Sequence, residues 1–221
     1  MKRIQKPSGE IITDQKEILT SIKDFYQNLF MNKDHTLSEP NLKDIFSHNK
    51  TIRLNEKQSQ ELEGPLDIAE LSNALKAMKN GKTPGIDGFP TEFFKVFWGN
   101  LKVFILRALN HAYENGEMSV SLRQGIITCL PKGDKPRQFL KNWRPISLLS
   151  VIYKIGSSAI ANRIKKILDN IISPEQSGFI SGHYIGDSTR LIYDLMYFTE
   201  QNNIPGLLML VDFEKAFDSI S

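Results

Sequence analysis

Five consecutive apolar residues, Leu207-Leu208-Met209-Leu210-Val211, lie between the turn pair Pro205-Gly206 and a single carboxylate, Asp212. An unbroken apolar run of this length predicts a strand buried on both faces, which forms only inside a sheet covered by other elements. The chain must therefore supply helices to do the covering, and its punctuation predicts several. Asp14 with Glu17 opens a capped helix carrying Ile18, Ile22, Phe25, Tyr26 and Leu29 at helical spacing. Asp67 with Glu70 opens a second, through Ile68, Leu71, Ala74, Leu75 and Met78, closed by Asn80-Gly81.

A turn-rich stretch, residues 82–90, then leads into a long amphipathic helix from about Thr91. Its apolar stripe is Phe94, Phe97, Trp98, Leu101, Ile105, Ala108, Leu109 and Ala112, and Asn115-Gly116 stops it. Short apolar runs at 126–130 and 145–150 predict strands. A further helix follows, with Ile152, Ile155, Ala159, Ile160, Ile164, Ile167 and Leu168 on one face and Lys154, Lys165 and Lys166 on the other. A last helix, capped at Asp187, is expected to bury Leu191, Ile192, Leu195 and Met196. Residues 31–64 read as a loosely packed, polar connection. Helices interleaved with short strands place the chain in the mixed α/β (α+β) class.

Composition narrows the function classes. Of 221 residues, 40% are hydrophobic and 24% charged, close to globular averages. No stretch approaches the ~18 apolar residues of a membrane span, and the polar start MKRIQKPSGE lacks the core of a secretory signal. A single cysteine, Cys129, leaves no internal disulfide partner and no multi-cysteine zinc site, and its apolar run predicts an inert core thiol. These features predict a soluble intracellular protein without a membrane partner.

The net charge of +3 is unevenly spread. Residues 131–166 hold nine cations (Lys132, Lys135, Arg137, Lys141, Arg144, Lys154, Arg163, Lys165 and Lys166) and one acid, Asp134, so the remainder of the chain carries −5. Such a block suits either a polyanion partner or a solvated helix face. Asp212 stands where open α/β sheets tend to place ligands, at the C-terminal end of a predicted strand. With Glu214 and Asp218 it can offer oxygen ligands to Mg²⁺. On spacing alone, a strand-ending Asp serves equally well as a helix cap.

Longer motifs favour one family. Leu210-Val211-Asp212-Phe213-Glu214-Lys215-Ala216-Phe217-Asp218 resembles the first catalytic motif, motif A, of reverse transcriptases from non-LTR (LINE-type) retrotransposons. Lys82-Thr83-Pro84-Gly85-Ile86-Asp87-Gly88 with Glu92-Phe93-Phe94 resembles the start of that family's conserved region. Leu130-Pro131-Lys132 and Asn142-Trp143-Arg144-Pro145-Ile146-Ser147-Leu148-Leu149 resemble its fingers strands. Ala161-Asn162-Arg163 and Gln176-Ser177-Gly178-Phe179 follow in order, and Gly9-Glu10-Ile11-Ile12-Thr13-Asp14 with Phe25-Tyr26 resembles the stretch preceding the polymerase. The likeness covers nearly the whole chain.

The resemblance implies a right-hand polymerase: residues 1–63 a largely helical extension, 64–206 the fingers and start of the palm, 207–221 the motif A strand. It implies RNA template, DNA primer and deoxynucleoside triphosphates as partners, and two Mg²⁺ ions in the complete enzyme. Asp212 would be a catalytic metal ligand, with the Phe213 backbone carbonyl as a second donor. Phe217 would be the steric gate against a 2′-hydroxyl. Glu214 would stay at the surface and Asp218 would cap the following helix. Lys132 and Arg144 would contact the incoming triphosphate, while Lys135, Arg137, Lys141, Lys154, Arg163, Lys165 and Lys166 would track the template-primer backbone. Gln176 and Gly178 would face the template. Trp143 and Phe139 suit core packing more than base stacking, and His183 stands where many relatives carry a basic residue.

The same family completes its metal site with an aromatic-Ala-Asp-Asp box, and these 221 residues contain no Asp-Asp pair. The resemblance therefore implies a truncated polymerase region that does not polymerise by itself and whose last strand is poorly anchored. The alternative is a non-catalytic RNA-binding remnant that uses the same basic surface. Family members work as RNA–protein particles between cytoplasm and nucleus, and no address is legible here.

Overall fold

The computed structural model describes residues 3–31 and 54–212. Its described residues fall into two compact units, one of residues 3–31, 127–147 and 209–212, the other of 54–126 and 148–208.

The first unit begins with two short antiparallel strands, β1 (Ile4–Gln5) and β2 (Ile11–Ile12), in the register Ile4 opposite Ile12. Gly9 turns the chain between them at φ +90°, where a side chain would be strained. Helix α1 (Gln15–Phe30) follows, and the Asp14 carboxylate accepts the backbone N–H groups of Lys16 and Glu17 at 3.0 Å, as a cap must. Ile4, Ile12 and Ile18 close a small core, with Ile22 and Leu140 packed against it. The unit also holds most of a two-stranded sheet, β3 (Gly125–Pro131) and β4 (Trp143–Leu149), with a 3₁₀ turn (Leu140–Asn142) between its strands. The β3–β4 connection is tied to β1, because Gln5 donates its N–H to the Gln138 carbonyl at 2.8 Å.

The second unit is helical. Its elements are α2 (Glu56–Leu62), α3 (Ile68–Ala77), α4 (Thr91–Asn115), α5 (Val120–Arg123), α6 (Val151–Lys165), α7 (Leu168–Ile171) and α8 (Ile185–Gln201). Three of these helices build the core: Leu71, Ala74 and Leu75 from α3, Phe94, Ile105 and Leu109 from α4, and Val151, Ile155 and Ala159 from α6. Each fully buried aliphatic side chain there contributes on the order of 2 kcal/mol by leaving water. Two glycines set the packing distance. A Cβ on Gly156 would lie 3.0 Å from Leu109 Cδ2, and one on Gly85 would lie 2.5 Å from the Ser150 backbone nitrogen.

The capped helices form as their sequences dictate, most completely at α3, where Asp67 and Glu70 exchange side-chain-to-backbone hydrogen bonds at 2.7 and 3.0 Å. Gly116, at φ +66°, ends α4, and Ser150 caps α6 through the Tyr153 N–H. Elsewhere the structure departs from expectation. Helix α3 stops at Ala77 rather than at Asn80-Gly81, because Lys95 of α4 takes the Met78 carbonyl (2.7 Å) and Asn80 Oδ1 (2.8 Å) while Glu92 takes the Gly81 N–H. Within the expected 31–64 connection, residues 56–62 form α2, capped by an Asn55–Gln58 capping box. Helix α8 begins at Ile185, so Asp187 lies inside its first turn rather than capping it. The predicted strand at 207–211 is not formed: these residues have no regular secondary structure and are exposed, Leu207 at 92%. No strand among the described residues pairs with them, and an isolated apolar strand has nothing to bury against. Leu191, Leu195 and Met196 of α8 are exposed for the same reason. Cys129 is half-buried on β3 rather than in the core.

Candidate nucleic-acid interface

The structure divides the basic block between the two units. Lys132, Lys135, Arg137, Lys141 and Arg144 lie in the first unit, on or beside the β3–β4 connection; Lys154, Arg163, Lys165 and Lys166 lie in the second, on and just after α6.

The connection has a fixed shape. Lys132 donates its backbone N–H to the Asn142 carbonyl at 2.8 Å and its Nζ to the Lys141 carbonyl at 2.9 Å. Asn142 Nδ2 reaches the Pro136 carbonyl at 2.9 Å, and Trp143 Nε1 reaches the Arg137 carbonyl at 2.8 Å. These bonds satisfy the loop from within. The half-buried Trp143 thus serves the loop's architecture through its ring N–H and belongs to neither core cluster, where core packing was expected of it. Lys135, Arg137, Lys141 and Arg144 are exposed, and none of the five cations pairs with a carboxylate among the described residues. Lys141 Nζ lies 5.9 Å from the centre of the Phe139 ring. A rigid loop holding several unneutralised cations suits phosphate oxygens, which attract charge and accept hydrogen bonds.

Arg163 does otherwise. Its side chain is 11% exposed, and its guanidinium pairs with Glu70 through both nitrogens of its fork, at 2.7 Å for Nη2 to Oε2. The remaining donors go to the Gly64 carbonyl at 2.8 Å, the Pro65 carbonyl at 2.7 Å and, more loosely, those of Leu62 and Glu63. All its donors point inward, so the expected backbone-tracking role is replaced by a structural one. The Arg163 bond holds the Glu70 carboxyl below its ordinary pKa, and Glu70 raises that of Arg163. Lys166 adds to the lowering of Glu70, whereas Lys154 and Lys165 form no ion pair among the described residues.

The loop after α7 is held by His183 Nδ1 against the Gln176 carbonyl at 2.8 Å and by Ser177 Oγ against Ser188 Oγ at 2.8 Å. This gives His183 a local structural role. Gln176 is exposed and Gly178 half-buried; beside them Phe179 is fully exposed at φ +65°.

Asp212 is exposed and has no hydrogen-bond partner among the described residues. Phe213, Glu214, Phe217 and Asp218 lie outside the described residues. No group of three His, Cys, Asp or Glu side chains among the described residues is placed to hold a metal ion. A lone carboxylate can contribute to a Mg²⁺ shell but does not make a two-ion site, so no chemical step is assigned to it. No helix among the described residues is long and apolar enough to cross a membrane.

Comparisons with known proteins point to the same family. Residues 130–221 match the family "Reverse transcriptase (RNA-dependent DNA polymerase)". The chain is 36% identical over 212 residues to the transposon TX1 uncharacterized 149 kDa protein of Xenopus laevis, covering 96% of this chain and 16% of that protein. It is 26% identical over 160 residues to the Pol polyprotein of the type-1 retrotransposable element R1 of Bradysia coprophila, covering 70% of this chain and 15% of that one. Against the "Probable RNA-directed DNA polymerase from transposon BS" of Drosophila melanogaster it is 25% identical, covering 71% and 17%. The chain spans about a sixth of the length of these curated relatives. Motifs and matches together place it among the reverse transcriptases of non-LTR retrotransposons, as part of their polymerase region.

Proposed function

We propose that the chain forms the fingers and first part of the palm of an RNA-directed DNA polymerase that copies RNA into DNA from a DNA primer. In this reading residues 1–63 are an N-terminal extension, 64–206 the fingers and start of the palm, and 207–221 the motif A strand. The observation that carries it is the β3–β4 connection, a fixed loop whose cations lack carboxylate partners among the described residues and which lies within the matched region 130–221.

Arg144 and Lys132 contact the triphosphate of the incoming deoxynucleotide, Arg144 by its planar fork and Lys132 by the two ammonium protons not given to Lys141. Lys135, Arg137 and Lys141 hold phosphates of the template-primer; in the second unit Lys154, Lys165 and Lys166 are taken separately as backbone contacts, and Gln176 and Gly178 as facing the template strand. Asp212 and the Phe213 carbonyl contribute to binding divalent metal, Mg²⁺ in this reading, which supplies charge neutralisation at the reacting phosphate. Phe217 excludes the 2′-hydroxyl.

The test is primer extension on an RNA template by a polymerase that contains these 221 residues in frame. Asp212→Asn is expected to abolish extension while leaving hybrid affinity unchanged, and Phe217→Ala to raise ribonucleotide incorporation. Full extension by the Asp212→Asn protein would remove Asp212 from the site.

A further inference from the structure

A cavity of about 680 Å³ lies within the first unit, walled by β1, by one face of α1 and by residues 139–141. Nothing in the motif A or triphosphate reading uses it. Its size falls in the range of small-ligand sites, roughly 300–1,000 Å³. Four lining residues on α1, Ser21, Asp24, Phe25 and Asn28, follow the i, i+3, i+4, i+7 spacing that puts side chains on one helix face. The Ser21 hydroxyl, the Asp24 carboxylate and the Asn28 amide have no hydrogen-bond partner among the described residues. Phe139 supplies a second ring across the cavity, and Lys141, beside it, lines the cavity as well.

We propose that this cavity receives one unpaired nucleobase of a single-stranded nucleic acid. Phe139 offers a face for stacking, the interaction that holds single strands without a fixed sequence, while Phe25, packed edge-on against Tyr26 at 5.2 Å, forms part of the wall. Asn28 and Ser21 can donate to or accept from a base edge, and Asp24 accepts from base N–H groups. The same carboxylate repels phosphate, so the base enters and its phosphate stays at Lys141. From there the strand continues onto Lys135 and Arg137. Only this last placement rests on the proposed function of the β3–β4 connection; the base contacts do not.

The test uses the purified 221-residue chain and a single strand of roughly ten nucleotides with one 2-aminopurine, as RNA and as DNA, beside a blunt RNA–DNA duplex. Binding of the single strand is expected to change the 2-aminopurine fluorescence. Phe139→Ala is expected to weaken single-strand binding roughly tenfold and leave duplex binding unchanged. Asn28→Ala, at an exposed helix position that tolerates alanine, is expected to weaken it a few-fold and guards against misfolding of the first variant. Equal response to RNA and DNA assigns the site to the base alone; a response confined to RNA adds the 2′-hydroxyl, and either supports the cavity. Unchanged fluorescence, or wild-type single-strand affinity in both variants, overturns it. If duplex binding proves absent while the cavity variants still weaken single-strand binding, the reading of the basic connection falls and the cavity stands.

Discussion

Arg163 on α6 and Glu70 on α3 form a forked ion pair whose arginine also takes the carbonyls of Gly64 and Pro65, 99 and 98 residues away in sequence. The pair therefore fastens the chain entering α3 onto α6. Glu70 does two jobs there, because its second oxygen also closes the α3 capping box through the Asp67 N–H. Removing the guanidinium would leave a part-buried carboxylate and several carbonyls without their donors. Arg163→Ala should therefore cost about 2–4 kcal/mol of stability, measured by urea denaturation at neutral pH. Arg163→Lys should recover only part of this, since an ammonium cannot reproduce the fork.

The same pair gives a pH dependence. The Glu70 carboxyl is held below its ordinary value, chiefly by the hydrogen bond from Arg163, with burial opposing. A group depressed in the folded state contributes stability that is fully present above its unfolded value, about 4.3, and is lost as pH falls through the folded value. Denaturation midpoints measured above about pH 5 and again below about pH 3 should converge for wild type and Glu70→Gln on the acid side. The variant should show the shallower fall. Parallel falls would mean that other carboxylates govern the acid limb.

Gly85 predicts a backbone clash. A methyl group there would lie 2.5 Å from Ser150 N and 2.6 Å from the Leu149 carbonyl carbon, neither of which can rotate away. Gly85→Ala should destabilise the second unit by roughly 1–3 kcal/mol. Gly88→Ala tests something different, since its Cβ would meet no atom within 4 Å but its φ is +74°. Its cost should be smaller, about 1 kcal/mol, and wholly conformational. Equal costs at the two positions would contradict the close approach at Gly85.

What was legible in the sequence were the features that depend on neighbours along the chain. The Asp14 and Asp67 caps, the Gly116 stop and the two strands at β3 and β4 follow from local chemistry, and the structure has them. Helix α2 was also readable in principle, from Asn55 and Gln58 at capping-box spacing, but its polar sequence lacks an apolar stripe and hid it. The early end of α3 was not readable, because Lys95 and Glu92 impose it from another helix. Arg163 shows the limit most clearly. Within a cationic run it resembles its neighbours, and only the fold brings Glu70 and four carbonyls to it. Residues 207–211 fail in the opposite way, since a buried strand needs a sheet that the described residues do not place around it.

The central claim is that the β3–β4 connection holds the phosphates of a nucleic acid. It is tested most directly by the salt dependence of RNA–DNA duplex binding, wild type against the Lys135→Ala, Arg137→Ala, Lys141→Ala triple variant. Each cation that neutralises a phosphate adds about 0.7–0.9 to the negative slope of log affinity against log salt. The triple variant should therefore bind more weakly at every salt concentration, with a slope shallower by about 2–3. An unchanged slope and affinity would contradict the account, because the three exposed cations Lys135, Arg137 and Lys141 would then have no polyanion to meet.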